Sequence, residues 1–480
     1  MTEPTHLNLV AGAWISGDHA NLNVNPSDRR DVIGHYTSAT PAEVAMATAA
    51  AAEAQPHWFA SGPQARADLL ERIASGIDSK AQDIATMLAR EEGKILPEAL
   101  AETRRAAQIF RFQAGEALRM PGEALASVRP GVDVEITREP LGVVGLITPW
   151  NFPIAIPAWK LAPALAAGNA VVMKPADLVP GTAHMLATII HEAGCPAGVF
   201  NLVMGAGSVV GQAMIEDPLL SGLSFTGSVA TGHAIARAGA ARMLKLQLEM
   251  GGKNPMVVMD DADMTTAVSA CLNGAFFSTG QRCTASSRLI VQDGIHDAFV
   301  EELARQMLAL RVGPALDPDS QIGPVASVPQ LSSNLKYVDL ARQEGCEVVG
   351  GEALNGPTDG NFQRPALFLG ANNAMRVARE EIFGPCAAVI RVGDFDEALA
   401  VANDSEFGLS AGICTSSLRQ AREFKRHAKA GMVMVNLPTA GVDYHVPFGG
   451  TKGSSHGARE QGRYAVEFFT SVKTSYSFAG

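Results

Sequence analysis

No two cysteines in this chain stand at CxxC spacing. The six, Cys195, Cys271, Cys283, Cys346, Cys386 and Cys414, are scattered from residue 195 onward in the 480 residues. That disfavours a structural zinc site and a disulfide framework, and makes a reducing cytoplasm the expected location, with no metal. A dense basic run is also lacking. Lys and Arg total 38 against 49 Asp and Glu, for a net charge of −11, so neither nucleic acid nor an anionic membrane is an expected partner. The opening MTEPTHLNLVAGAWISG has no basic stretch leading into an apolar core, so no secretory leader is expected. Nor is there an unbroken membrane-length apolar run. Residues 141–173 come nearest, but they carry Pro149, Pro153, Pro157 and Pro163 as well as Asn151, Lys160 and Asn169. A spanning helix needs roughly twenty mostly apolar residues without such breaks. The segment reads instead as strand, turn, short helix and strand.

What is present is an alternation. VVGLIT (143–148), AVVMKP (170–175), VFNLVMG (199–205), LSFTG (223–227) and KLQLEM (245–250) are short apolar runs separated by stretches of helical character. The pattern restarts at PMVVMDDAD (255–263) and continues through RLIVQ (288–292), EVVGG (347–351), CAAVIRV (386–392), LSAGICT (409–415) and MVMVN (432–436). Strands alternating with helices predict βαβ units and two parallel sheets, with a seam near EMGGKNP (249–255). Before residue 120, stretches 41–55 and 64–118 read as mainly helical, with Pro41 at the first helix start. Residues 121–140 read as a polar hairpin, and AVEFFTSVKTSYSF (465–478) alternates as a strand does. A terminal strand with no evident partner in its own chain points to pairing across subunits.

Parallel sheets of this kind bind dinucleotides at the carboxyl ends of their strands. The strict GxGxxG spacing is absent; GAGSVVG (205–211) has Gly205, Gly207 and Gly211, which reads as a phosphate loop or as an ordinary turn. In FTGS (225–228), Ser228 stands where it can meet a phosphate or simply cap a helix. MKPAD (173–177) ends a strand with Lys174 and Asp177, groups able to hold ribose hydroxyls or to lie in solvent. Cys283, in FSTGQRCTASSR (277–288), follows a helix in a small polar segment. It is either a nucleophile or a filler, and Arg282 beside it can favour the thiolate. Glu249 ends a strand ahead of Gly251 and Gly252, as a general base or a strand cap. Asn151, in the rigid turn TPWNFP (148–153), can donate to an oxyanion or cap its own turn.

In order and spacing, TPWNFP, VMKPAD, FTGS, LEMGGKNP, GQRCTA, EEIFGP (380–385) and VPFGG.KGSS.G (446–457) resemble the signature of the aldehyde dehydrogenase superfamily, over nearly the whole chain. The resemblance implies an α/β fold of two Rossmann-like parallel-sheet domains plus a small β oligomerisation element. Residues 1–120 and 141–250 would bind the dinucleotide and 251–463 would form the catalytic domain. Residues 121–140 and 464–480 would be oligomerisation strands of a homodimer or homotetramer. It implies that Cys283 is the nucleophile, Glu249 the base that activates water, Asn151 and the Cys283 N–H the oxyanion hole, and Lys160 a lysine near the base. NAD, with NADP possible, would lie against Trp150, Lys174, Asp177, Gly207, Gly211, Ser228, Gly251, Glu381 and Phe383. The substrate would be a small-molecule aldehyde, oxidised to a carboxylic acid through a cysteine thiohemiacetal and thioester. Glu249 speaks against the coenzyme-A-acylating branch.

Two departures stand out. Asp177 replaces the glutamate usual in NAD-preferring members, keeping the charge that repels a 2′-phosphate on a shorter arm. Met250 stands where leucine is usual, a volume-conserving change. GQRCTASSR and VDYHVPFGGTKGSSHGAREQG (442–462) look most like the branch acting on 2-oxoglutarate semialdehyde (2,5-dioxopentanoate). A carboxylate-bearing substrate needs a cationic or amide-rich clamp, for which Arg111, Arg282 and loop 438–445 are candidates. Succinate semialdehyde, an aromatic aldehyde and broad aliphatic specificity are the alternatives, and a non-catalytic relative or a Cys/His thiol hydrolase are the readings from other classes.

Overall fold

The computed structural model describes residues 5–478. Two large sheets organise them. The first has eight strands in the order Ser455–His456, Lys245–Glu249, Leu220–Thr226, Val143–Ile147, Ala170–Lys174, Phe200–Leu202, Asn8–Val10, Ala13–Ile15. Its central five are parallel, and its edges are antiparallel. The second sheet runs Glu347–Gly350, Ala366–Ala371, Cys386–Val392, Ser286–Gln292, Asn254–Val258, Ser410–Cys414, Met432–Val435. It is parallel apart from its Glu347–Gly350 edge. Strands such as Val143–Ile147 and Asn254–Val258 are buried along their whole length, which is why they read as unbroken apolar runs rather than alternating ones.

Local signals set the helix starts. Thr40 caps Pro41–Ala60 through a reciprocal box with Glu43, and Pro41 occupies the first turn. Ser228 caps Val229–Ala240 and Asp263 caps Met264–Phe276. Helix Ala155–Ala166 is buried at all twelve residues. This explains the membrane-like composition of 141–173, yet at about 18 Å the helix is too short to span a bilayer. Among the described residues no helix is long and apolar enough to cross a membrane.

The stretch 64–118, expected to be mainly helical, is so, as most of Gly62–Ser79, then Ala81–Glu91 and Leu96–Ala117. Several expectations need correction. Strand Ala366–Ala371 and the five short strands before residue 39 were not anticipated. Ser455–His456, within the stretch assigned to the catalytic domain, joins the first sheet beside Lys245–Glu249. The terminal strand Thr470–Phe478 has a partner in its own chain. It pairs antiparallel with Val132–Pro140 over nine residues, and Glu123–Ala126 completes a three-stranded sheet. The sequence separation of more than 300 residues hid that partner. Thr470–Phe478 remains an open edge, with Val472, Tyr476 and Phe478 exposed.

Asn169 ties this small sheet to the first large one. Fully buried, it donates from Nδ2 to the carbonyls of Ala164 and Phe469, and its Oδ1 accepts from Gly142 N–H. Asn169→Ala would strand a buried N–H and two carbonyls. It is expected to lower unfolding free energy by about 2 kcal/mol, read as an earlier urea midpoint; an unchanged midpoint would contradict this role.

Candidate active site

In the first sheet the strand order reverses between Val143–Ile147 and Leu220–Thr226. Successive strands proceed one way through Ala170–Lys174 and Phe200–Leu202, and the other way to Lys245–Glu249. Such a switch point opens a crevice at the carboxyl ends, where dinucleotides bind. Thr148, just past the first of those strands, and Thr226, the last residue of the second, each carry a buried hydroxyl with no hydrogen-bond partner. Unpaired polar atoms at this position are what an absent polar ligand leaves. Beside them Lys174 Nζ donates to the carbonyls of Pro175 and Gly205 and pairs with Asp177 at 3.1 Å. Burial holds the Lys174 ammonium below its usual value, and Asp177 is 42% exposed and free to accept further bonds. Gly207 and Gly211 back onto the Lys174 stem, where a Cβ would lie 3.8 and 3.9 Å from it. Ser228 accepts from Thr231 N–H as the cap of its helix. Trp150 and Phe383 meet edge to face with centroids 5.3 Å apart, forming one wall. Phe383 does this from a left-handed backbone, φ 59°. The crevice therefore fits a nicotinamide dinucleotide.

Cys283 follows a turn in which Ser278 and Thr279 both take positive φ, 50° and 56°. Such strain persists only where the surroundings hold it. Here Ser278 N–H donates to Glu98 Oε1 at 3.1 Å, and Gln281 Oε1 accepts from Ala326 N–H at 2.9 Å. The Cys283 carbonyl is pinned by Asn254 Nδ2 at 2.8 Å. Asn151 Nδ2 donates to the Gln281 carbonyl at 2.9 Å, which leaves its second N–H available. The Asn151 carbonyl accepts from Lys94 Nζ at 2.8 Å, and Lys94 pairs with Glu102 at 2.6 Å. Glu102 Oε1 in turn accepts from the N–H groups of Ile154 and Ala155.

Glu249 ends its strand buried, accepting from Ser455 Oγ at 2.5 Å. Burial, then the neighbouring Glu460 charge, raise its carboxyl well above the ordinary range, while Ser455 and Lys160 oppose the shift. Lys160, fully buried, is ion-paired with Glu460 and bonded to Ser224 Oγ at 2.7 Å. Glu381 accepts from Gly252 N–H at 2.9 Å. Burial pushes its carboxyl up to about 7. A Cβ on Gly251 would overlap that carboxylate. The Cys283 thiol is pushed up to about 12 by burial first, and then by the charges of Glu381 and Glu249. Arg282 exerts no comparable pull. Its guanidinium turns to Glu98 at 3.0 Å, Ser278 Oγ at 2.9 Å and Asn273.

Cys283 opens on a cavity of about 350 Å³. Phe152, Trp159, Phe448 and Val442 give it an apolar wall, and Lys94, Glu98, Glu102, Arg105 and Arg282 supply its charge. Arg111, expected here, is elsewhere. It sits on the same helix as Arg105 but pairs with Asp78 at 2.6 Å and Glu71 at 3.9 Å. Sequence reasoning missed Arg105, Lys94, Glu102, Ser455 and Glu460. Thr148 and Thr226 lay inside quoted motifs, and only their missing partners single them out.

A model described as the aldehyde dehydrogenase family matches residues 14–475. The chain belongs to the aldehyde dehydrogenase family. It is an enzyme of the NAD(P)-dependent kind that this family comprises. It is 45% identical over 478 residues to the alpha-ketoglutaric semialdehyde dehydrogenase of Bacillus subtilis, covering 98% of each chain. It is 41% identical to the alpha-ketoglutarate semialdehyde dehydrogenase of Haloferax volcanii, covering 99% of each. It is also 41% identical to a betaine aldehyde dehydrogenase of Cereibacter sphaeroides, over 92% of this chain and 91% of that one. Among solved structures, betaine aldehyde dehydrogenase of Staphylococcus aureus in complex with NAD+ superposes with a TM-score of 0.97 at 32% identity, over 99% of this chain and 95% of that one.

The carboxylate next in influence to burial sets how rarely Cys283 is a thiolate in the free enzyme. Glu381→Gln removes that charge and should lower the thiol's pKa. Iodoacetamide labelling of Cys283 at pH 8, where Glu381 is largely ionised, is expected to quicken a few-fold. An unchanged or slower rate would show that Glu381 does not act on the sulfur.

Proposed function

We propose that the chain oxidises 2-oxoglutarate semialdehyde to 2-oxoglutarate with NAD. The observation that carries the chemistry is that Cys283 opens on the cavity, with the Asn151 amide bonded to the Gln281 carbonyl two residues before it and the charges of Glu381 and Glu249 within electrostatic reach of the sulfur. The Cys283 sulfur, once deprotonated, attacks the aldehyde carbon. The resulting oxyanion accepts from Asn151 Nδ2–H and the Cys283 N–H. Nicotinamide, when bound, supplies the hydride acceptor that turns the thiohemiacetal into a thioester. Glu381 and Phe383 would hold the nicotinamide end, Lys174 and Asp177 the adenosine ribose, and Ser228 and Gly207 the pyrophosphate. Glu249 then takes a proton from water, which attacks the thioester and returns the thiol. Its raised pKa makes it a stronger base toward that proton than an ordinary carboxylate. Lys160 and Glu460, paired behind it, push its titration in opposite directions.

Two things support the substrate: the full-length similarity to enzymes named for 2-oxoglutarate semialdehyde, and a cavity with more cations than carboxylates in its lining. Asp177 supports NAD, because its carboxylate repels the 2′-phosphate of NADP. We also propose that the open edge of Thr470–Phe478 is where subunits of a homodimer or homotetramer join, since an exposed apolar strand edge invites pairing.

Steady-state assay of a panel of semialdehydes and aromatic aldehydes with each nucleotide is expected to favour 2-oxoglutarate semialdehyde and NAD, the latter by roughly tenfold in kcat/KM. Equal use of NADP would remove Asp177 from the role given it. Glu249→Gln should release one equivalent of NADH in a burst and then turn over slowly. A variant with neither burst nor slowing would take Glu249 out of deacylation.

A further inference from the structure

The cavity before Cys283 holds three cations, and their pairing differs. Lys94 is neutralised by Glu102 at 2.6 Å, and Arg282 by Glu98 at 3.0 Å. Both pairs are largely buried, with side-chain exposures of 2% and 3% for the first and 14% and 20% for the second. Their charges are spent on holding the Asn151 turn and the Ser278 turn. Arg105 is different. Its one hydrogen bond is to a neutral group, the Val442 carbonyl on loop 438–445, and no carboxylate among the described residues lies within ion-pair distance of it. Asp443, the next residue along that loop, is exposed and does not line the cavity. The lining therefore carries one net positive charge, and it belongs to Arg105.

A guanidinium has five donors in a rigid fork that matches a carboxylate two at a time. Arg105 uses one of them. It faces a space walled by Phe152, Trp159, Phe448 and Val442, whose apolar side chains lower the local dielectric and strengthen a charge-assisted bond. We propose that Arg105 is the specificity-determining residue of this enzyme, anchoring the carboxylate at the far end of the substrate while Cys283 meets the aldehyde. Arg282, which stands next to the nucleophile in sequence, is a structural cation locked to Glu98. The same charge selects against a cationic aldehyde such as betaine aldehyde. The inference rests on the reading of the substrate as a carboxylated semialdehyde.

The test compares Arg105→Gln, Arg105→Lys and Arg111→Gln with the parent enzyme. Each is assayed for NADH formation from 2-oxoglutarate semialdehyde, pentanal and betaine aldehyde. The ratio of kcat/KM for the carboxylated over the neutral aldehyde is expected to fall roughly 30-fold in Arg105→Gln, the loss of one charged hydrogen-bonding partner. The fall should come mostly from KM. Arg105→Lys should recover part of it, and Arg111→Gln should leave it alone. Glutarate should inhibit the parent enzyme competitively against the aldehyde, and weaken by a similar factor in Arg105→Gln. NAD binding, read by fluorescence, shows that each variant is folded. A ratio that stays within threefold in both Arg105 variants overturns the proposal, while a parent enzyme that still prefers the carboxylated aldehyde leaves the substrate reading standing. Equal loss on all three aldehydes also overturns it, since Arg105 would then be only structural. A parent enzyme with no preference for carboxylated aldehydes sinks the substrate reading and the anchor together.

Discussion

The site depends on the chain crossing between its two large sheets with no side chain in the way. Lys245–Glu249 belongs to the first sheet and Asn254–Val258 to the second, and Gly251 and Gly252 make the crossing. The Glu381 carboxylate occupies the space a Gly251 side chain would need, and bonds the Gly252 N–H. The Cys283 carbonyl comes to 2.7 Å from where a Gly252 Cβ would be, and Asn254 holds it there. Three segments far apart in sequence thus meet at one bare stretch of backbone. This is glycine used for close approach rather than for unusual dihedrals.

Around that crossing the protein buries more charge than stability alone would favour. Taking ions out of water costs about as much as their pairing returns, so Lys160–Glu460 and Lys94–Glu102 are better understood by what they position. Lys94 grips the Asn151 carbonyl and Glu102 the first N–H groups of the following helix, so the turn that presents the Asn151 amide is clamped from both sides. Lys160 and Glu460 stand behind Glu249 and feed opposing charges into its titration. The same desolvation that raises Glu249 and Glu381 also keeps the Cys283 thiol protonated in the free enzyme.

Much of this was legible in the chain. Buried parallel strands read directly as short apolar runs, and helix-start signals such as Pro41 and Ser228 announce themselves. Two- and three-residue strands such as Asn8–Val10 did not, because so few residues carry no periodicity. The terminal strand misled for another reason: its alternation was plain, but its partner lay more than 300 residues back. Arg111 and Arg105 show the limit at the site. They share one helix, but six residues place them about 240° apart around its axis. One side faces the cavity and the other faces Asp78 and Glu71, and the choice between them needs the packing of helix Leu96–Ala117.

The α/β class, the parallel sheets and the motifs whose order resembles this enzyme family can be read along the chain. All of these follow from local patterns of polarity and from residues bound to particular backbone shapes. Tertiary structure alone decided which charges are spent and which are free. Arg282 lost the role its place beside Cys283 invited because Glu98, 184 residues away, neutralises it. Arg105 gained one because no carboxylate among the described residues pairs with it. Coulomb energy depends on distance and burial, not on neighbourhood in the chain, so no reading of order and spacing could have assigned it.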